Sequence, residues 1–154
     1  MTYESRISTL ILRMIPVCIL LVLISCSSMG AGRNSATGAE ARYALLEQTW
    51  GVRPLYVRLT AEGLMLDFRY HVVDAEKAAP LFERKNKAYV LDQATGAKFL
   101  VPESPKVGAL RTTRPPLPGK SYFIIFANPG RYVKKGSIVT VVIGDFRAEN
   151  LVVE

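Results

Sequence analysis

Residues 64–72 read Leu-Met-Leu-Asp-Phe-Arg-Tyr-His-Val and alternate between apolar and more polar side chains. Successive side chains of a β-strand point to opposite faces of a sheet, so this alternation predicts a strand with one buried and one wetter face. The face predicted to be buried contains Leu64, Leu66, Phe68, Tyr70 and Val72. The wetter face contains Met65, Asp67, Arg69 and His71. Such a strand is typical of an antiparallel sheet that covers a core on one side.

The residues before this strand predict its hairpin partner. Leu55, Val57 and Leu59 recur at alternate positions, and residues 61–63 read Ala-Glu-Gly, which favours a turn. After the strand, residues 74–79 predict a single turn of helix capped by Asp74 and ended near Pro80. Residues 88–92 and 98–101 flank a turn at 94–96 and predict a second hairpin.

The C-terminal part is more strongly apolar. Residues 122–126 and 137–143 are apolar on both faces, which predicts two central strands that are covered on both sides, or at least on one side and by partner strands. Residues 128–131 read Asn-Pro-Gly-Arg and predict a turn, and residues 147–153 supply a last strand. About seven strands without a βαβ rhythm predict an all-β, two-layer immunoglobulin-like β-sandwich over residues 51–154.

Residues 102–120 interrupt this pattern with five prolines, at positions 102, 105, 115, 116 and 118. Proline cannot donate to a β-ladder, so most of the segment is excluded from a central strand. Two interpretations remain open: residues 107–111 form an edge strand, or the segment is a functional loop. Residues 114–118 have the composition of a polyproline II ligand, but a rigid crossing between two sheets is favoured over that role.

The N-terminal residues have the features of a secretory signal. Arg6 and Arg13 precede an uncharged apolar segment at residues 14–24, which is about half the length needed to span a bilayer. A segment of this length is also compatible with a buried core helix or an uncleaved anchor.

The segment ends in Leu23, Ile24, Ser25 and Cys26. These four residues resemble the lipobox of bacterial lipoprotein precursors. The resemblance implies that residues 1–25 are removed as a signal peptide and that Cys26 is lipidated. It also implies a membrane-anchored protein facing the periplasm, and Ser27 in place of an aspartate favours the outer membrane over the inner one. Several acyl chains would hold the protein firmly, because each buried methylene contributes about 0.8 kcal/mol.

Between the lipobox and the sandwich we expect a tether and a short helix. Residues 26–37 are small, polar and rich in glycine, which predicts a flexible tether. Thr37 and Glu40 fit a capping box at the start of a helix over residues 38–50. Tyr43, Leu46 and Trp50 follow helical spacing, which predicts that this helix docks on the domain.

The cysteines and the charge limit the classes of function. The chain has two cysteines, Cys18 and Cys26, so the domain after the lipobox cannot form a disulfide or a thiolate site. Removal of residues 1–25 leaves 18 basic and 12 acidic side chains, a net charge of +6. Such a domain attracts anionic partners, whereas nucleic acid is not expected in the envelope. The candidate binding residues are Arg111, Arg114, Lys120, Lys134 and Lys135. Charge that only solubilises the domain is the alternative.

No catalytic arrangement or metal site is predicted. His71 is the single histidine and shares a strand face with Asp67, so an acid–base pair competes with a solvated sheet face. Clustered histidine, cysteine and acidic ligands of the kind that zinc requires are absent from the sequence pattern, and no cofactor is expected.

The sequence therefore predicts a membrane-anchored, non-enzymatic binding or structural module of the cell envelope. Its partner would be another envelope protein or an anionic polymer. The alternative is a protein that binds a small ligand, an anionic lipid or a glycan on a basic loop surface.

Overall fold

The computed structural model describes residues 31–106 and 108–154, with side chains from residue 38 onward. The predicted signal peptide and the lipobox residue Cys26 lie outside the described residues. The chain divides into two compact units, residues 1–40 and 41–154. Of the first unit the structure describes only residues 31–40, which are helical.

Helix α1 runs from Ala31 to Trp50. It includes residues 31–37, which the composition placed in the tether, so the helix does not begin at Thr37. Tyr43, Leu46 and Trp50 pack against the core as expected, and Trp50 meets Phe146 edge to face with ring centroids 5.9 Å apart.

Two antiparallel sheets form the domain. The first has the order β1-β2-β7 and consists of β1 (Val52–Thr60), β2 (Met65–Val72) and β7 (Ser121–Ala127). The second has the order β4-β3-β8-β9 and consists of β3 (Ala88–Asp92), β4 (Lys98–Leu100), β8 (Ile138–Ile143) and β9 (Phe146–Val152). A small hairpin pairs β5 (Glu103–Ser104) with β6 (Gly108–Ala109).

The core lies between the inner faces of the two sheets. Its largest fully buried side chains include Leu66, Phe68, Tyr70, Ile124, Phe126, Ile143 and Phe146. The expected alternation in β2 is confirmed from Leu66 to Val72, since all four predicted inward residues there are buried. The chain is thus mostly β and consistent with a β-sandwich.

Two residues predicted to face the core do not. Leu55 is 46% exposed, because a bulge between Pro54 and Tyr56 shifts the register of β1 against β2. Leu55 is the extra residue of this bulge and has no partner on β2, whereas Val57 after it faces the core as predicted. Leu64 is 49% exposed, because it belongs to the turn before β2.

The helix after β2 is longer than predicted. Helix α2 runs from Ala75 to Phe82 and continues beyond Pro80. Asp74 caps it as expected, since its carboxylate accepts the N–H groups of Glu76 and Lys77. The extra residues Leu81 and Phe82 are buried in the core, and burial of two large apolar side chains outweighs the loss of one helical hydrogen bond at the proline.

Strand β7 is not central, although its sequence is apolar on both faces. It pairs with β2 on one side, and its other side receives only Leu110 and Arg111. Phe123 on its outer face is 42% exposed. The prediction of a central, doubly covered strand is confirmed for β8, which lies between β3 and β9 and is buried from Val139 to Ile143.

The first and last strands are joined at their edges. Val57 and Val153 form a parallel bridge, the N–H of Leu59 donates to the carbonyl of Glu154, and the N–H of Glu154 donates to the carbonyl of Val57. Residues 153–154 therefore cover part of the β1 edge.

The proline-rich segment crosses from β4 in one sheet to β7 in the other. Instead of a continuous edge strand over residues 107–111, it forms the β5–β6 hairpin and a bridge between Arg111 and Ile124. Further along, the N–H of Leu117 donates to the hydroxyl of Tyr122 at 2.9 Å, which ties the Pro-Pro-Leu-Pro stretch to β7.

Candidate ligand-binding cleft

A cleft of about 730 Å³ lies where the segment after α2 meets the β5–β6 hairpin. This volume is within the range of small-molecule sites. The cleft is lined by Arg84, Asn86, Lys87, Ala88, Leu100, Val101, Glu103, Gly108, Ala109, Arg111 and Thr113. Its walls thus come from two loops that are distant in sequence, residues 84–88 and 100–113.

Arg111 holds these two loops together. Its Nη1 donates to the carbonyl of Asn86 at 2.8 Å and its Nη2 to the carbonyl of Glu83 at 2.7 Å. The side chain is half-buried, and this burial lowers the pKa of the guanidinium from its ordinary value, while the nearby Tyr70 acts in the opposite direction. Arg111 is therefore a positioning residue that also brings positive charge to the cleft.

The lining is basic on one part and apolar on another. Arg84, Lys87 and Arg111 face a single acidic lining residue, Glu103, so the cleft has an excess of positive charge. The neighbouring Lys85 is paired with Glu83 at 2.9 Å. Ala88, Leu100 and Val101 supply the apolar part. This combination suits a ligand with an anionic group attached to an apolar body.

The five candidate residues from the sequence do not form one surface. Arg111 lines the cleft, and Arg114 is exposed one residue beyond the lining residue Thr113. Lys120 lies directly before the first residue of β7, and the Lys120 carbonyl accepts the N–H of Val72. Lys134 and Lys135 are exposed beyond the opposite end of β7. Seven strand residues separate the two ends, a span of roughly 23 Å at about 3.3 Å per residue.

Sequence reasoning did not select Arg84 and Lys87 as site residues. The available signal was the basic run at residues 84–87, but nothing in it shows that a hairpin some twenty residues later completes the cleft.

An acid–base pair between His71 and Asp67, the alternative to a solvated sheet face, has no support in the geometry. The Nδ1 atom of His71 lies 3.2 Å from the hydroxyl of Ser121, whereas the Asp67 carboxylate contacts Arg58 and Arg69. Across the described part of the chain, histidine, cysteine and acidic side chains do not form a group of three or more that could hold a metal ion.

None of the helices in the described ranges combines the length and the apolar character needed to cross a membrane. Comparisons with protein families, with curated proteins and with solved structures found no match. The functional argument therefore depends on the geometry of this chain.

Proposed function

We propose that this protein is a lipid-anchored, non-enzymatic binding module of the bacterial cell envelope, and that its cleft receives an anionic group of another envelope component. The observation that carries the proposal is the Arg111 side chain, which fixes two loops into a cleft with an excess of positive charge. A preformed site lowers the ordering cost of binding.

The strand order supports an immunoglobulin-like classification of the sandwich. Its sheets, β1-β2-β7 and β4-β3-β8-β9, correspond to strands A-B-E and C′-C-F-G of that architecture. The parallel bridge between Val57 and Val153 fits a first strand that leans towards the last one. Sandwiches of this kind place binding residues on loops held by a rigid scaffold, and both walls of the cleft include loop residues beside the ends of strands.

The proposed localisation is based on the N-terminal sequence. Residues 1–25 would be the signal peptide and Cys26 the lipid attachment site, with the protein facing the periplasm from the outer membrane. A single basic membrane-binding surface built from Arg111, Arg114, Lys120, Lys134 and Lys135 has less support, because these residues are spread over both ends of β7.

Cys26→Ala is expected to abolish metabolic labelling with a radioactive fatty acid in a bacterial host and to move the protein from the membrane to the soluble fraction. The reason is that the acyl chains need the Cys26 sulfur and the new amino terminus. Cys18→Ala is the matched control and should keep both label and membrane attachment. If the Cys26 variant stayed in the membrane as an uncleaved precursor, the apolar segment itself would be the anchor.

The cleft is tested with phenyl phosphate, which combines an anionic group with an apolar ring. We expect R84Q/K87Q to weaken its binding about tenfold, which corresponds to about 1.4 kcal/mol. The control K134Q/K135Q removes the same charge far from the cleft and should bind as the wild type does. Binding is measured by NMR titration, with the amide signals of residues 84–88 and 108–113 as reporters. An equal loss in both variants would mean that net charge, not the cleft, attracts the anion.

A further inference from the structure

The outer face of the β1-β2-β7 sheet contains a buried carboxylate that is only half satisfied. Asp67 lies at the centre of this face, paired across the strands with Arg58 and Ile125, and is 3% exposed. Its Oδ2 atom contacts Arg58 Nη2 at 3.2 Å and Arg69 Nε at 3.3 Å. Its Oδ1 atom is buried and has no hydrogen-bond partner among the described residues.

An unpaired carboxylate oxygen in this position points to a missing donor. An ionised carboxylate only accepts hydrogen bonds, and leaving a buried acceptor without a donor is unfavourable. A purely structural ion pair would be expected to have its remaining lone pairs satisfied within the protein. The donor that Oδ1 lacks can therefore come from a ligand.

The two arginines around Asp67 are arranged to receive an anion. Their side chains are 49% and 43% exposed, and the contacts to Asp67 involve one nitrogen of each guanidinium. Arg58 lies over the ring of Tyr56 at 4.8 Å and Arg69 over that of Phe123 at 5.8 Å, which restrains both side chains. Two positive charges against one negative charge leave this cluster attractive to a carboxylate, which guanidinium groups bind in a forked geometry.

We propose that this face binds an acidic saccharide, meaning a sugar ring that carries a carboxylate beside free hydroxyls. Because Asp67 Oδ1 is buried, the half-exposed side chains of Arg58 and Arg69 must move outward to the ligand carboxylate before a ring hydroxyl can donate to this oxygen. The apolar side of the ring then lies against Phe123, which is 42% exposed. One rigid ring supplies the anion and the donor together. This surface is separate from the cleft, and the inference does not depend on the ligand proposed there.

An acidic peptide fits this face less well. Strand β2 is hydrogen-bonded on both sides, to β1 and to β7, so an added peptide finds no free strand edge at Asp67. Its glutamate or aspartate side chains would occupy the arginines but contain no donor. The remaining donor for Asp67 Oδ1 would be a backbone N–H of a chain that has no strand edge to pair with there.

The test uses the full chain in lipid nanodiscs and three soluble probes: tetragalacturonate, its methyl ester and tetraglutamate. The ester keeps the hydroxyls without the charge, and tetraglutamate keeps the charge without the hydroxyls. We expect tetragalacturonate to bind at least tenfold more tightly than either of the others in isothermal titration calorimetry. Equal binding of tetraglutamate would overturn the proposal in favour of an acidic protein segment, and equal binding of the ester would exclude a role for the carboxylate.

Variants locate the site. Arg58→Gln and Arg69→Gln should each weaken tetragalacturonate binding at least tenfold, whereas Arg147→Gln, an exposed arginine of β9 in the other sheet, should not change it. Arg58→Lys keeps the positive charge but removes the forked guanidinium geometry, so it should also weaken binding. Thermal melting of every variant identifies any that is unfolded. The cleft variant R84Q/K87Q should bind tetragalacturonate normally. Wild-type affinity in both glutamine variants, or an equal loss in Arg147→Gln, would reject this face as the site.

Discussion

Gly51→Ala is expected to destabilise the domain by about 2–5 kcal/mol, the sum of backbone strain and overpacking. Gly51 ends helix α1 with a φ of +63°, in the left-handed region that favours glycine. A Cβ atom there would lie 2.4 Å from the carbonyl oxygen of Asp74 and 2.8 Å from its Cβ atom. Neither neighbour can withdraw easily, because the Gly51 carbonyl accepts the N–H groups of Val73 and Asp74.

Gly96→Ala is the matched control for this prediction. Gly96 has a similar φ of +75°, but no atom lies within 4 Å of the position that its Cβ would take. We expect only the backbone strain, about 1–2 kcal/mol. Urea unfolding followed by circular dichroism compares the two variants. Equal destabilisation would show that the contact between Gly51 and Asp74 contributes nothing beyond strain.

Asn128→Ala is expected to cost about 3 kcal/mol or more, since each buried group left without a partner costs about 1–3 kcal/mol. Asn128 is fully buried at the end of β7. Its Nδ2 donates to the carbonyls of Gly63 at 2.9 Å and Val133 at 2.8 Å, and its Oδ1 accepts the N–H of Val133 at 2.9 Å. One side chain thus holds the β1–β2 turn to the loop before β8.

Two further variants check this interpretation of Asn128. Asn128→Asp keeps the acceptor for Val133 but replaces the donor by an oxygen that faces two carbonyls, so it should also be destabilising. Gln93→Ala removes an exposed amide that donates to the buried Thr140 Oγ1 at 2.8 Å, so it breaks one hydrogen bond instead of three and should cost about 1 kcal/mol. The same urea measurement applies. A cost for Asn128→Ala as small as that for Gln93→Ala would contradict the assigned role.

Much of the fold follows from alternation in the sequence. Residues 66–72 predict the inward and outward faces of β2 correctly, because a regular strand preserves its period of two. The bulge at Pro54–Tyr56 moves Leu55 outward, and a bulge has no signature in the hydrophobic pattern of its own strand. Similarly, apolar residues on both faces did not distinguish the edge strand β7 from the central strand β8.

The sites were harder to predict for a different reason. Arg111 organises the cleft through backbone carbonyls at residues 83 and 86, and every residue type has a carbonyl, so the sequence contains no sign of this contact. Asp67 was correctly placed on the outer face, but alternation alone predicted solvation. Asp67 is buried although it lies on the outer face. The alternation within one strand does not predict which residues lie opposite on the neighbouring strands, and here these are Arg58 and Ile125.

The partial cover of the outer strand edges affects how the protein behaves when many copies are close together. Unpaired strand edges are templates for aggregation between molecules. Here residues 153–154 occupy part of the β1 edge, and Leu110 and Arg111 occupy part of the β7 edge. The outer strand β4 has only three residues and begins with Lys98, and a short, charged edge disfavours pairing with a strand of another molecule. Removing residues 153–154 should therefore expose the β1 edge as well as remove the buried Val153 side chain, and thioflavin T fluorescence should show faster fibril formation than in the full chain.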